Sequence, residues 1–335
     1  MALAAMATAC GGGPPTGPTV PTPPPGAPVG GFVYYDENAN GTLDATETVR
    51  LPGVTVAVAN ASGQSSTGGR FTVSNVPMGT QTAQARADTL PAYFTPGSPV
   101  SVSVPPSGDV AVPAVLTIGS RQRPNVYLAF GDSITWGEGS ADLSGYRDVL
   151  REDLRAYWGS AGVVNDGDPG SKSLVGQARL PGDLAVNRPA YVLILYGTND
   201  WNDPECREAF PCYTVDALRA MVQDARSAGV HPVLGTIPPV NPNFVDRRAE
   251  ERNDWVTRMN VLVRQMAAQE RVALAEVHGD FLKQSSLPPL FANFLHPNDA
   301  GYQIMAKSFF AAITKPLAAS ASGGPSFFFR PTDRP

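Results

Sequence analysis

Apolar and polar positions follow two different rhythms along this chain, and the change comes near residue 120. In the first part, residues 31–35, 54–58, 70–73, 82–86 and 100–104 alternate or are β-branched. Clusters of Gly, Asn, Pro and Ser separate them. Short strands at that spacing predict a small β-sandwich. From Arg123 onward the apolar runs are continuous: residues 126–130, 162–165, 191–196, 232–237 and 272–277. Between them, apolar residues recur at helical spacing. Tyr146, Val149, Leu150 and Leu154 share one face. So do Val215, Leu218, Val222 and Ala225, with Thr214 as N-cap and Gly229 as stop. Trp255, Met259, Leu262 and Met266 form a third stripe, and Tyr302, Met305, Phe309 and Ile313 a fourth. Strands alternating with helices predict an α/β domain with a five-stranded parallel sheet between two helix layers. Ligands then sit at the C-terminal edge of the strands.

Charge narrows the partners. Thirty acidic residues against 25 basic ones leave a net charge of −5 and no basic patch, which excludes nucleic acid as a partner. No run of 18 apolar residues occurs, so no spanning helix is predicted. A monomer is expected.

The start of the chain points to export. Residues 1–10 are apolar and end Ala7-Thr8-Ala9-Cys10, like the end of a bacterial lipoprotein signal. Cys10 would carry the lipid and hold the protein at the cell envelope. The remainder of 1–28 is almost all Gly, Pro and Thr, which predicts an extended tether. Residues 29–118 then form the β module, 119–317 the α/β domain, and 318–335 a disordered tail. Besides Cys10 there are only Cys206 and Cys212, bracketing a five-residue loop. They either pair, as an oxidising compartment allows, or stay reduced.

Within the β module, residues 36–47 read Asp-Glu-Asn-Ala-Asn-Gly-Thr-Leu-Asp-Ala-Thr-Glu. Oxygen-bearing side chains fall at loop positions 1, 3, 5, 9 and 12, a glycine at 6 and an apolar anchor, Leu43, at 8. That is the pattern of a Ca²⁺ loop. The predicted ligands are Asp36, Asn38, Asn40, the carbonyl of Thr42, Asp44 and Glu47. With only three carboxylates, affinity would be modest. The competing reading is an Asx-rich turn that binds nothing. Together with Leu51-Pro52-Gly53-Val54 and Gly69-Arg70-Phe71-Thr72-Val73, the module resembles the SdrD B-like and collagen-binding B-type repeats of bacterial surface proteins. The resemblance implies a prealbumin-like sandwich acting as spacer or adhesion module.

Four blocks converge on the predicted strand edge of the second domain. Gly131-Asp132-Ser133 follows the first strand and Asn165-Asp166-Gly167-Asp168-Pro169-Gly170 the second. Gly197-Thr198-Asn199-Asp200 follows the third, and His296 precedes the last helix. In order and spacing they resemble the SGNH (GDSL) hydrolases over about residues 124–316. The resemblance implies an esterase in which Ser133 attacks the ester carbonyl and His296 is the base. It implies oxyanion donors from the N–H groups of Ser133 and Gly170 and from the Asn199 amide. Gly167 is the competing loop glycine. Of three histidines, His231 begins a strand remote from the site and His278 follows the fifth strand.

One position departs from the family. An aspartate normally stands three residues before the histidine; here it is Asn293. Its amide oxygen is expected to accept the imidazole N–H and orient the ring without lending it charge. A Ser-His-Asn triad, a Ser-His dyad leaning on a backbone carbonyl, and a weakened enzyme are the three readings, with Asp280 and Asp299 as substitute acids. Trp136, Tyr146, Trp201 and the Cys206–Cys212 loop are expected at the rim. The overall expectation is an exported serine esterase acting on short-acyl esters, including O-acetyl groups on polysaccharide. The alternative is a surface glycan-binding or adhesion protein with a weakly active or inactive hydrolase domain. No cofactor is expected in catalysis.

Overall fold

A computed structural model describes residues 26–317. The expected signal end and tether before residue 26, including Cys10, and the tail from residue 318 lie outside the described residues. Eight strands come first: β1 (Ala27–Tyr35), β2 (Thr55–Val58), β3 (Ala61–Gln64), β4 (Arg70–Val76), β5 (Gly79–Ala85), β6 (Phe94–Pro96), β7 (Val100–Val104) and β8 (Val110–Leu116). They form two four-stranded sheets, β4-β1-β8-β6 and β3-β2-β5-β7. Alternating residues such as Val33, Val56, Phe71, Val73 and Val112 turn into one shared core. The strands β3, β6 and β8 are additional to the five predicted.

The second sheet system is β9 (Arg123–Gly131), β10 (Gly162–Gly167), β11 (Pro189–Leu195), β12 (His231–Gly235) and β13 (Ala273–Ala275). All its pairings are parallel, in the order β10-β9-β11-β12-β13. Helices α1 (Ser133–Trp136), α2 (Arg147–Trp158), α3 (Ser173–Asn187), α4 (Pro204–Glu208), α5 (Thr214–Ser227), α6 (Ala249–Glu270), α7 (Val277–Leu282) and α8 (Asp299–Thr314) complete the domain. The side-chain period of two sends neighbours on each strand to opposite faces. Tyr127, Ala129, Leu193 and Val233 meet α2 and α8 on one face. Leu128, Phe130, Val192, Ile194 and Leu234 meet α3, α5 and α6 on the other. The predicted three-layer domain is therefore what forms. Strand order reverses on either side of β9, so the crevice of such a sheet opens at the C-terminal ends of β9 and β11.

Two local expectations are corrected. Thr214 is the first residue of α5 and does not cap it; its hydroxyl donates instead to the buried Asp200 carboxylate at 2.7 Å. Tyr146 and Trp201 are buried, not rim residues: Tyr146 stacks on Phe309 and Trp201 packs edge-on to Trp255. Cys206 and Cys212 are joined as a disulfide.

The β module packs against the opposite, N-terminal edge of the parallel sheet. Tyr93 is the main contact. Its ring stacks on His231 at 4.4 Å, and its hydroxyl both donates to the carbonyl of Pro232 and accepts from the N–H of Ala273 at 3.0 Å. Burial and the nearby Arg226 push the His231 imidazole down to about 4, so it stays neutral in this contact. Replacing Tyr93 by Ala removes stacking and both hydrogen bonds together. We expect about 2–4 kcal/mol of destabilisation by chemical denaturation. Ester turnover per folded molecule should not change, because the contact lies at the far end of the strands.

Candidate active site

Strand β9 ends in Gly131 and the chain must turn at once. A Cβ on Gly131 would collide with Thr135 Oγ1 and the carbonyl of Leu195. Asp132 then caps the four-residue α1, accepting from the N–H of Ile134 at 2.9 Å. This presents Ser133 at the first helical position, 5 % exposed. A first-turn N–H has no intrahelical acceptor, and no described group accepts the N–H of Ser133. Asp132 is fully buried, and desolvation pushes its carboxyl up to about 7.

His296 is held by a tight loop before α8. Ala292 N–H donates to its carbonyl at 2.9 Å, and Asn298 N–H donates to Leu290 O at 2.9 Å. Asn298 also caps α8 through the N–H groups of Ala300 and Gly301. The ring reaches the serine: His296 Nε2 is 2.9 Å from Ser133 Oγ. Burial holds the imidazole below its ordinary range, with Glu138 pulling upward and Arg252 pushing further down.

The oxyanion donors gather at the same edge. Gly170 has φ +81°, a conformation that favours glycine, with open space where a Cβ would be. No described group accepts its N–H, while its neighbours in the turn are engaged: Asp168 N–H with Gly131 O and Ser171 N–H with Asp168 O. The competitor Gly167 spends its N–H on Asn165 Oδ1 at 3.1 Å. Asn199 follows β11 and is 5 % exposed. Its Nδ2 donates to Ser171 O at 3.0 Å and lies 3.4 Å from Asp132 Oδ2. The amide is thus fixed with one N–H committed and the other only loosely engaged. Beneath it, the buried Arg252 donates to Thr198 O.

At Asn293 the structure reverses the expected polarity. The amide oxygen is taken by two backbone donors, Leu295 N–H and His296 N–H, both at 2.9 Å. The amide nitrogen, not the oxygen, faces His296 Nδ1, at 3.1 Å. A donor there wants a lone pair on Nδ1, which leaves the ring proton on Nε2. Neither substitute acid reaches the ring: Asp299 accepts from Ala141 N–H, and Asp280 from Ser308 and Lys283. The carboxylate that does is Glu138, with Oε2 3.1 Å from His296 Nε2. Sequence reasoning missed it. Its only signal was its place five residues after Ser133, where the Gly137 turn folds the chain back on the serine.

The calcium-type loop lies far along the chain in the β module. Asp36 and Glu47 are 1 % and 3 % exposed, and neither pairs with a cation among the described residues. Asp36 accepts from Asn40 and Gly41 N–H, and Glu47 from Glu37 and Asp44 N–H. Asn38 and Asn40 turn their amides to Asp44 Oδ2, and Thr42 N–H donates to Asn40 Oδ1. The Tyr34 phenol beside them is pushed up to about 12 by burial and by Asp36, Glu47 and Asp44. Buried carboxylates without a counter-charge fit an oxygen-seeking cation. Among the described residues, though, no three acidic, histidine or cysteine side chains are gathered tightly enough to hold a metal by themselves. Leu43, the expected apolar anchor, is 37 % exposed and anchors nothing.

Comparison with known proteins gives the family. Residues 129–304 match the GDSL-like lipase/acylhydrolase family. The chain is 30 % identical over 161 residues to the esterase TesA of Pseudomonas aeruginosa, covering 48 % of this chain and 74 % of that protein. Similar solved structures include a lipase/acylhydrolase from Enterococcus faecalis, at 22 % identity and TM-score 0.49, covering 58 % of this chain and all of that one. An acetylxylan esterase from Geobacillus stearothermophilus matches at 23 % identity and TM-score 0.47, covering 58 % and 96 %. The β module is not assigned by these matches.

If Asn293 biases the tautomer, an acceptor in its place should help. An aspartate would keep one oxygen on the two backbone donors and offer the other to Nδ1–H. We expect Asn293→Asp to raise kcat by about tenfold or more. Asn293→Ala sheds the tautomer bias but also loses both backbone bonds of the turn, so it should fall below Asn293→Asp, measured as p-nitrophenyl acetate turnover. A loss in Asn293→Asp would mean that the amide supports the base.

Proposed function

The chain belongs to the GDSL-like lipase/acylhydrolase family and is an SGNH-type carboxylic ester hydrolase, and we propose that it works through an acyl-enzyme on Ser133 with His296 as base. The observation that carries this is the 2.9 Å contact between His296 Nε2 and Ser133 Oγ, beside two unengaged backbone N–H groups. Starting from the ring tautomer with its proton on Nδ1, the Ser133 proton passes to Nε2 as Oγ bonds to the ester carbonyl carbon. The carbonyl oxygen becomes an oxyanion, met by the N–H groups of Ser133 and Gly170 and the loosely engaged N–H of the Asn199 amide. The intermediate collapses, the C–O bond to the alcohol breaks, and Nε2 returns the proton to the departing oxygen. Water then repeats the sequence to release the acid.

The substrate reading is a short acyl group, with O-acetylated polysaccharide as the natural form. Trp136 supports it: the ring is 42 % exposed on the same short helix as Ser133, where it can stack on a sugar. Labelling by a fluorophosphonate should occur in the wild type and vanish in Ser133→Ala and His296→Ala. Because burial lowers the His296 pKa, the acid limb of kcat/KM should fall below the ordinary histidine range. Among p-nitrophenyl acetate, octanoate and palmitate, acetate should give the highest kcat/KM, and acetylated xylan should release acetate. An unlabelled wild type would favour the alternative, a glycan-binding surface domain.

For the β module we propose a Ca²⁺-stabilised spacer, held by Asp36, Asn38, Asn40, Thr42 O, Asp44 and Glu47 after the two amides turn over. The unpaired buried Asp36 and Glu47 support it. Bound Ca²⁺ would supply charge neutralisation and no chemistry. Chelation should lower Tm and leave turnover of the folded enzyme unchanged, and Glu47→Gln should abolish the Ca²⁺-dependent Tm shift. The Cys206–Cys212 disulfide supports export. Anchoring through a lipid on Cys10 is part of the same proposal. Loss of metabolic lipid labelling in Cys10→Ser would test it.

A further inference from the structure

We propose that Glu138 gives His296 the negative charge that Asn293 withholds, and that it acts at the reacting nitrogen instead of the remote one. The proposal rests on the reading of Ser133 and His296 as nucleophile and base.

Three observations meet at this residue. Its carboxylate oxygen Oε2 lies 3.1 Å from His296 Nε2, the nitrogen that also lies 2.9 Å from Ser133 Oγ. Its backbone is tied to both partners' elements: Glu138 N–H donates to Ser133 O at 3.1 Å, and its carbonyl accepts from the hydroxyl of Tyr302 in α8 at 2.6 Å. The opposite ring nitrogen faces an amide NH₂. The charged groups acting on the ring are therefore Glu138, which favours the imidazolium, and Arg252, which opposes it; Asn293 is neutral. No other acidic side chain among the described residues contacts the imidazole.

The reaction uses this contact at one moment. As the Ser133 O–H bond breaks and the Oγ–carbon bond forms, Nε2 gains the proton and the ring gains charge. The nitrogen that carries the new N–H has both Oγ and Glu138 Oε2 within hydrogen-bond distance. A carboxylate there stabilises the imidazolium through an ionic hydrogen bond. When the alcohol leaves, the proton goes to its oxygen and not to Glu138. Glu138 is thus a positioning and electrostatic residue that works through His296. Its side chain is 38 % exposed, so water screens the interaction and the gain is modest.

Glu138→Gln isolates the charge, since a glutamine oxygen keeps the neutral hydrogen bond. The full chain is assayed on p-nitrophenyl acetate across pH, in the wild-type and Asn293→Asp backgrounds, with Tm as control. In the wild-type background kcat/KM should drop about fivefold to tenfold with KM nearly unchanged. The acid limb should move to lower pH, because the carboxylate that raised the His296 proton affinity is gone. Glu138→Asp should keep more of the activity than Glu138→Gln does. With Asn293→Asp present, the loss should shrink to about twofold, because the ring already has a carboxylate. An unmoved acid limb, or a gain in activity, overturns the proposal. If Ser133→Ala is dead while the Glu138→Gln profile is unmoved, this proposal falls and the nucleophile reading stands. Full turnover in Ser133→Ala brings both down.

Discussion

A neutral imidazole carries one proton for two nitrogens, and each neighbour of His296 has to agree with that count. A hydrolase of this layout needs the lone pair on Nε2 and the proton on Nδ1. The loop before α8 sets the opposite preference. Asn293 Oδ1 is fixed by two backbone N–H groups, so its NH₂ is turned to Nδ1 and cannot rotate away without breaking both bonds. The same two bonds shape the turn that brings His296 to Ser133. Position and tautomer are therefore in conflict: the asparagine that places the ring also favours its unproductive form. An aspartate has no such conflict, since both its oxygens accept.

That conflict gives the charged residues around the site their meaning. Glu138 and Arg252 act on the ring with opposite signs, and burial reinforces the arginine. Arg252 is nevertheless useful where it stands. From α6 it reaches the turn after β11, holding the Thr198 carbonyl next to Asn199, and its charge offsets that of Asp132. Its guanidinium is itself lowered to about 10 by burial. A buried cation near the proposed oxyanion donors favours negative charge there, at the expense of positive charge on the imidazole. Glu138 restores some balance on the imidazole side.

The layers of the α/β domain were legible because continuous apolar runs and helical stripes are strong signals. Ser133, Gly170, Asn199 and His296 were named because their blocks, each after a strand or before a helix, resemble the SGNH family in order and spacing, and the structure brings Ser133 and His296 together with the strand edge that carries the other two. What was not legible depends on side-chain direction. Periodicity says that Asn293 is near His296, but not which end of its amide faces the ring. Glu138 was overlooked because a lone acid in a Gly-rich turn is ordinarily solvated. Helix α3 was not singled out, since Gly176, Pro181 and Gly182 weaken its pattern. Gly176 is required there because a Cβ would run into the Tyr196 ring. Tyr146 and Trp201 were placed at the rim from their neighbourhood in sequence, whereas core packing claimed both.

The placement of the β module completes the physical picture. It seals the N-terminal ends of the strands through Tyr93, His231, Tyr191 and Trp158, where Phe94 stacks on Trp158 at 5.5 Å. The C-terminal ends, with Ser133 and Gly170, face away from it. A module fixed at the far edge cannot act as a lid over the serine. It can set the direction in which the serine points, provided the joint is stiff. Aromatic stacking and the hydrogen bonds of Tyr93 supply that stiffness, and a neutral His231 keeps the joint free of a buried charge. On an enzyme held at a surface through its N-terminal side, as proposed, this geometry would direct the open strand edge away from that surface.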